Sequence, residues 1–193
     1  MTRHPVRSGV GCGRSTGGRA VTWVALSLTI RTMADADVTA VCDLMLRNYD
    51  GEIAAHHSPS AVARFRSMVR PEWLREDARL KRVFVAEDER GIVATGALAD
   101  FGQPGEPRYC VSQFFVRDDL HRQGIGALLM QHLLAVARRK RMERLHVPSS
   151  RNAVAFYKSE GFRVDAAQPD EENEITWMTL ELAPKPPGPR SPS

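Results

Sequence analysis

The stretch that decides the reading of this chain is Phe114-Phe115-Val116-Arg117-Asp118-Asp119-Leu120-His121-Arg122-Gln123-Gly124-Ile125-Gly126-Ala127. An apolar run ending at Val116 passes through a polar turn into a glycine pair, and the pair opens a segment with apolar residues at helical spacing. The first turn of a helix carries unpaired backbone N–H groups and a partial positive charge, and both attract a phosphate. Glycines at 124 and 126 remove side chains that would hold a pyrophosphate off the backbone. Two other phosphate loops fail on spacing. A dinucleotide fingerprint needs Gly or Ala at 129, where Leu129 stands, and a Walker loop needs Gly-Lys-Ser/Thr after a four-residue gap. Taken alone, the glycine pair is equally a tight helix start.

A second block, Ala153-Val154-Ala155-Phe156-Tyr157-Lys158-Ser159-Glu160-Gly161-Phe162, follows one long helix and one short strand later. The two blocks at this separation resemble the GCN5-related N-acetyltransferase (GNAT) superfamily. His121-Arg122-Gln123-Gly124-Ile125-Gly126 stands where that family has Gln/Arg-x-x-Gly-x-Gly/Ala, and Phe156-Tyr157-Lys158-Ser159-Glu160-Gly161-Phe162 matches its Phe-Tyr-x-x-x-Gly-Phe. The resemblance is close over residues 109–163 and topological elsewhere. It departs from the family at His121, and at Ser150, where the family often has Asn; Asn152 lies two residues later.

The resemblance implies an acyl-CoA N-acyltransferase that moves acetyl from acetyl-CoA to a primary amine by direct attack, without a covalent enzyme intermediate and without a metal. It implies a pantetheine arm paired with backbone near Phe114, Phe115 and Val116. Arg122, Gln123, Gly124, Ile125, Gly126 and Ala127 would cradle the pyrophosphate, with Asn152 beside the arm. Tyr157 would protonate the departing thiolate; a phenol that ordinarily titrates at about 10 is available to a thiol that titrates at about 8.5. Its alternative role is to pack against the slot. On an ideal helix over 152–159, Phe156 and Tyr157 point about 100° apart, so Phe156 with Ala153 is expected in the core and Tyr157 at the gap. The general base is left open among Glu52, His56, His57, Glu87, Asp100 and His146, while Gln113 cannot serve as one.

Outward from these blocks the pattern is mixed α/β, with the order β-α-α-β-β-β-α-β-α-β. A strand is expected at 25–31. A helix capped by Asp35 or Asp37 runs to Arg47, and a loop covers Tyr49 to Ser60. A helix starting at Ser58 or Ser60 should bury Val62, Phe65, Met68 and Val69 and stop before Pro71, with a short helix over 72–81 as an option. Val83–Glu87 and Ile92–Ala99 read as a hairpin, 109–116 as a strand, 124–142 as a long helix, 145–147 as a short strand, 152–159 as a helix and 175–182 as a last strand. The fold class is an α/β (α+β mixed) sheet of GNAT type: mostly antiparallel, flanked by helices, and splayed between 109–116 and 145–147.

The chain has 193 residues, 42% of them hydrophobic and 26% charged, with net charge +4. That suits one globular domain, placed here at 24–183. Residues 1–23 are rich in Gly, Ser and Arg and read as a disordered extension; 184–193 read as a Pro-rich disordered tail. The apolar run Val21 to Ile30 is too short to span a bilayer and reads as the start of the first strand rather than a leader. Cys12, Cys42 and Cys110 form no disulfide framework or zinc spacing, which fits a reducing, cytoplasmic setting. The basic run Arg138-Arg139-Lys140-Arg141 closes the long helix, where cations meet the negative dipole end. The partners expected are a small-molecule or peptide amine, with a homodimer left open and neither nucleic acid nor a membrane expected. The competing functions are an acyl-CoA-binding sensor without catalysis and a nucleic-acid-associated protein using its basic end.

Overall fold

The computed structural model of this chain describes residues 28–172 and 174–182. Among them a seven-stranded sheet runs in the order β1-β2-β3-β4-β5-β7-β6. The strands are β1 (Thr29–Thr32), β2 (Arg82–Asp88), β3 (Gly91–Asp100), β4 (Tyr109–Val116), β5 (Arg144–Ser150), β6 (Arg163–Asp170) and β7 (Ile175–Glu181). Every pairing is antiparallel except β4 with β5, which run parallel and meet at one pair, Cys110 and His146. Beyond that pair the two strands separate, so the sheet is mostly antiparallel and splayed where the sequence placed the splay.

Alternation along the strands sends side chains to two cores. On one face, Phe84 and Ala86 of β2 pack with Leu129, Met130 and Leu133 of α4 (Ile125–Arg139). On the other, Val85 packs with Val38, Val41 and Cys42 of α1 (Val38–Asn48) and Leu74 of α3 (Pro71–Leu80). Arg31 ties β1 to both neighbours through Asp37 at 2.6 Å and Glu87 at 2.7 Å. Asp37, one of the two expected caps, also takes the N–H of Ala34 and closes a short 3₁₀ turn ahead of α1.

Several boundaries differ from the sequence reading. The loop expected from Tyr49 begins as a wide helical turn, Tyr49–Ile53, continuing α1. In α2 (Pro59–Ser67), Ser58 caps as expected, accepting the N–H of Ala61, but Ala61 is the buried residue and Met68 is exposed. The optional helix is present as α3, started by Pro71 at its first turn. The long helix ends at Arg139, not 142. Arg141 takes a left-handed conformation, and Met142 and Arg141 close back on the carbonyls of Ala137 and Arg138, a Schellman stop without glycine. β5 is longer than 145–147, and a 3₁₀ turn, Arg151–Ala153, precedes α5 (Val154–Ser159) with no side-chain cap from Ser149 or Ser150. β6 is absent from the sequence reading: it is an edge strand carrying Asp165, Gln168 and Asp170, with a register break before Pro169, so no apolar alternation marks it. The segments 1–23 and 184–193, and residues 25–27 of the expected first strand, lie outside the described residues.

Candidate active site

The site starts from an irregularity in β4. Thr95 faces Phe115 and Ala97 faces Ser112, so Gln113 and Phe114 both stand opposite Gly96. Gln113 has φ +50°, a conformation uncommon outside glycine. This is a β-bulge, which takes a peptide out of the β3 ladder. On its other edge β4 has lost β5 beyond Cys110, so its backbone groups are open to a ligand there. Gly96 makes the bulge possible, because a Cβ there would lie 3.0 Å from Phe114 Cδ2 and 3.2 Å from Leu133 Cδ1. Gly96 is outside both motifs, although an isolated glycine inside a strand pattern is the usual sign of a bulge or a close backbone approach.

From Val116 the chain turns into the glycine loop. His121 Nε2 donates to the Val116 carbonyl at 2.9 Å, so the residue that replaces the family's Gln or Arg latches the loop to the end of β4. Gly124 has φ +84° and Arg122 φ +61°. Among the described residues, no hydrogen bond within the chain uses the backbone N–H groups of residues 122–127; the first closing bond runs from Leu128 to Gly124. These donors, on the positive end of a fifteen-residue helix, fit a pyrophosphate. Arg122 adds a cation that no carboxylate pairs among the described residues. A Cβ on Gly126 would meet Phe156 Cε2 at 3.3 Å and Val116 Cγ2 at 3.6 Å, so a side chain there is admitted only if the Phe156 ring gives by a few tenths of an ångström. The residues present fit coenzyme A.

A cavity of about 570 Å³ runs along this loop. Phe114, Phe115, Val116, Arg122, Gly124 and Gly126 line it, and Ala127, Asn152 and Tyr157 do as well. Two expected residues do not. Ile125 is buried in the core beneath the loop, and Gln123 is turned outward, its amide donating to the Asp119 carbonyl. A second cavity of about 230 Å³ lies on the α1–α2 side. Ile53, Phe114, Phe115, Ser150, Ala153 and Tyr157 line both cavities, so the two meet where β4 and β5 part.

A family model described as the acetyltransferase (GNAT) domain matches residues 53–183. The chain belongs to the GNAT acetyltransferases. Solved structures share its fold at low identity. PaiA N-acetyltransferase from Thermoplasma acidophilum in complex with coenzyme A superposes with TM-score 0.68 at 16% identity, over 81% of this chain and 100% of that one. A ribosomal-protein-alanine N-acetyltransferase from Brucella melitensis gives 0.59 at 20%, over 79% and 99%. YncA of Salmonella typhimurium, described as a putative acetyltransferase with acetyl-CoA, gives 0.60 at 20%, over 81% and 94%. No curated protein matches the chain.

Within this GNAT domain α5 is oriented differently from the expectation, which puts Phe156 in the core and Tyr157 at the gap. Phe156 is half-buried, stacks on Phe114 at 5.4 Å and sits over Gly126, whereas Tyr157 is 4% exposed and packed against Phe114 and Phe162. The helix has six residues and enters through the 3₁₀ turn, so angles counted from an ideal helix at 152 do not carry to 157. The Tyr157 ring still forms part of the wall common to both cavities, and its hydroxyl has no hydrogen-bond partner among the described residues. Burial pushes the phenol above its ordinary value, which keeps it protonated.

The candidate bases separate by position. Glu87 is engaged by Arg31, and Asp100 takes the N–H groups of Gly102 and Arg108. His146 lies on β5 outside both cavities, and burial pushes its pKa down. His56 is exposed and lines neither. His57 lines the smaller cavity but its Nε2 accepts the Arg151 N–H at 3.2 Å, leaving the proton on Nδ1, 3.6 Å from Glu174. Burial is the main reason its pKa falls. Glu52 lines the larger cavity and makes no ion pair among the described residues.

No helix among the described residues is long and apolar enough to cross a membrane. Cys42 and Cys110 are free and buried, and burial raises both thiols, Cys110 to about 11.

Proposed function

We propose that this GNAT domain transfers the acetyl group of acetyl-CoA to a primary amine by direct attack, with both substrates bound at once. The observation that carries the reading is the junction of the two cavities at Tyr157 and Phe114: a ligand on the glycine loop and a ligand on the α1–α2 side would share that stretch of wall. Neither described thiol lines that junction, so the described residues offer no cysteine to hold the acetyl group between substrates.

Bound acetyl-CoA supplies an activated thioester. The N–H groups of residues 122–127 and the Arg122 guanidinium hold its pyrophosphate, and the open edge of β4 beside the bulge presents backbone donors to the thioester oxygen. Glu52 takes the ammonium proton, directly or through water. The amine nitrogen forms the new C–N bond, the C–S bond breaks, and Tyr157 gives its proton to the sulfur; the second proton shed by the nitrogen restores the Tyr157 phenol, and the proton held by Glu52 goes to solvent, so the net reaction yields amide, free thiol and one proton. Asn152, in the turn before α5, faces the arm of the cofactor. A reducing, cytoplasmic setting belongs to the same reading.

The test is release of free thiol from acetyl-CoA in the presence of an amine panel, with intersecting double-reciprocal kinetics expected. Parallel lines, or acetylated protein isolated without an amine, would overturn direct attack. Tight acetyl-CoA binding with no thiol release by any amine would make the chain a sensor.

A further inference from the structure

The smaller cavity carries chemistry that the family assignment does not supply. Its wall contains no Asp, Glu, Lys or Arg. The α1–α2 side of the wall is aromatic and aliphatic: Tyr49 stacks on Phe65 at 6.4 Å and tilts against Phe115 at 5.4 Å, with Met45 and Ile53 beside them. The titratable groups on it stay neutral. Burial pushes Tyr49 up to about 12, and the pKa of His57 is lowered chiefly by burial. A second charge on an acceptor would therefore be buried without a counter-ion, which is costly.

The β4 side of the wall is polar and incomplete. The described residues contain five fully buried side-chain polar atoms without a hydrogen-bond partner; two of them, Ser112 Oγ and Gln113 Oε1, are on β4, and a third, His57 Nδ1, belongs to a residue lining the cavity from the turn before α2. The Gln113 amide has a fixed sense. Its Nε2 donates to Asp77 Oδ2 at 2.5 Å, so Oε1 is the atom left wanting a donor. Buried polar groups in folded proteins are nearly always paired, so a cluster of exceptions points to a missing partner. An amine supplies N–H donors of the kind that Ser112 Oγ and Gln113 Oε1 accept; His57 Nδ1 carries a proton and needs an acceptor instead. The volume, about 230 Å³, equals that of about eight waters at roughly 30 Å³ each.

Resting on the transferase reading above, we propose that the acceptor is a small primary amine with an uncharged, apolar body. The body lies against Tyr49, Phe65 and Phe115, and the nitrogen is received on the β4 wall by Ser112 and Gln113. Polyamines and amino acids are excluded by their second charge, and peptide N-termini by size.

The test has two arms. In the first, 2-phenylethylamine is titrated by calorimetry into protein saturated with free coenzyme A, where no acetyl group can move. In the second, thiol release from acetyl-CoA is compared for 2-phenylethylamine, 1,4-diaminobutane and a hexapeptide with N-terminal alanine. The expected result is binding in the first arm and, in the second, a kcat/KM for the aryl amine about tenfold or more above either competitor. Ser112→Ala removes an orphaned buried atom, so it should leave the melting temperature unchanged or higher while raising the amine KM several-fold, a split that a purely structural serine would not give. Phe65→Glu should lower the preference for the aryl amine over the diamine about tenfold at unchanged acetyl-CoA affinity. Binding in the first arm with no turnover of any amine would overturn the transferase reading and keep this pocket assignment. Turnover of the diamine or the peptide with no binding of the aryl amine would keep the transferase reading and overturn this one.

Discussion

Half of the residues lining the larger cavity come from one continuous stretch, Phe114 to Ala127, and that stretch offers backbone N–H donors at a helix start. The smaller cavity gathers side chains from α1, α2, β4, β5, α5 and β7 and from the turns between them, which come together only in the fold. The Ser58–Glu174 contact shows how distant the pieces are: the Glu174 carboxylate takes the Ser58 N–H at 3.1 Å and pairs with Arg151 at 3.4 Å, joining the turn before β7 to the start of α2 and to the turn before α5. A site made of backbone tolerates changes at most of its side chains but not the addition of one where the main chain must approach. A site made of side chains changes specificity with each of them.

The largest effect should come from adding a side chain to the backbone site. Gly126→Glu puts a carboxylate where the proposed site would hold the pyrophosphate, and its Cβ crowds Phe156. An uncompensated charge of this kind costs about 3–5 kcal/mol, or at least about a hundredfold in acetyl-CoA affinity at ~1.4 kcal/mol per decade. Calorimetry showing unchanged affinity would misplace the cofactor site. The fold should survive, because the position faces the cavity.

Tyr157 belongs to both cavities, so its substitution tests the junction. Tyr157→Phe keeps the packing with Phe114 and Phe162 and removes one oxygen. The maximal rate should fall roughly 10²- to 10⁴-fold with acetyl-CoA affinity unchanged. A rate within threefold of wild type, measured where chemistry limits turnover, would reduce Tyr157 to packing. The sign of its pKa shift adds a pH test. Burial raises the phenol, so its proton is present throughout the range below the ordinary tyrosine value of about 10. No alkaline limb that Tyr157→Phe abolishes should appear below about pH 10; one near pH 8 would contradict the buried environment.

The smallest effect belongs to the contacts that close the acceptor side. Glu174→Gln keeps an acceptor for Ser58 but loses the charge facing Arg151 and His57. The acceptor KM should rise about two- to fivefold, the range of an exposed ion pair, with no change in acetyl-CoA affinity. An equal change in both affinities would mean that the two cavities are not separable. The Glu174 carboxyl is held below its usual range, first by hydrogen bonding from Ser58 and then by Arg151 and His57. Its contacts are therefore intact above the ordinary value of about 4.3 and lost only as pH falls through the lowered one. Amide exchange at Ser58 should stay slow from pH 7 to about 5; earlier opening would show that the carboxylate is not the partner.

The blocks at 114–127 and 153–162 were sufficient by themselves to point to the superfamily and, through that resemblance, to the splayed sheet, because each is local: a strand, a turn, a helix start and an aromatic pair at fixed spacing. Apolar patterning also located β2 and β3, whose faces are both covered. What the chain did not disclose depends on partners far away in sequence. β6 is a polar edge strand whose pairing with β7 alone gives it a strand's geometry. Tyr157 still reaches the gap but is buried between Phe114 and Phe162, and Phe156 is half-buried over Gly126, because the packing of those rings rather than the helical period sets their depth. The role of Gly96 appears only when Phe114 bulges toward it and Leu133 closes behind. Tertiary structure alone decided the smaller cavity, since α1, α2, β4, β5, α5 and β7 each contribute one or more side chains to it and no spacing along the chain records that they meet.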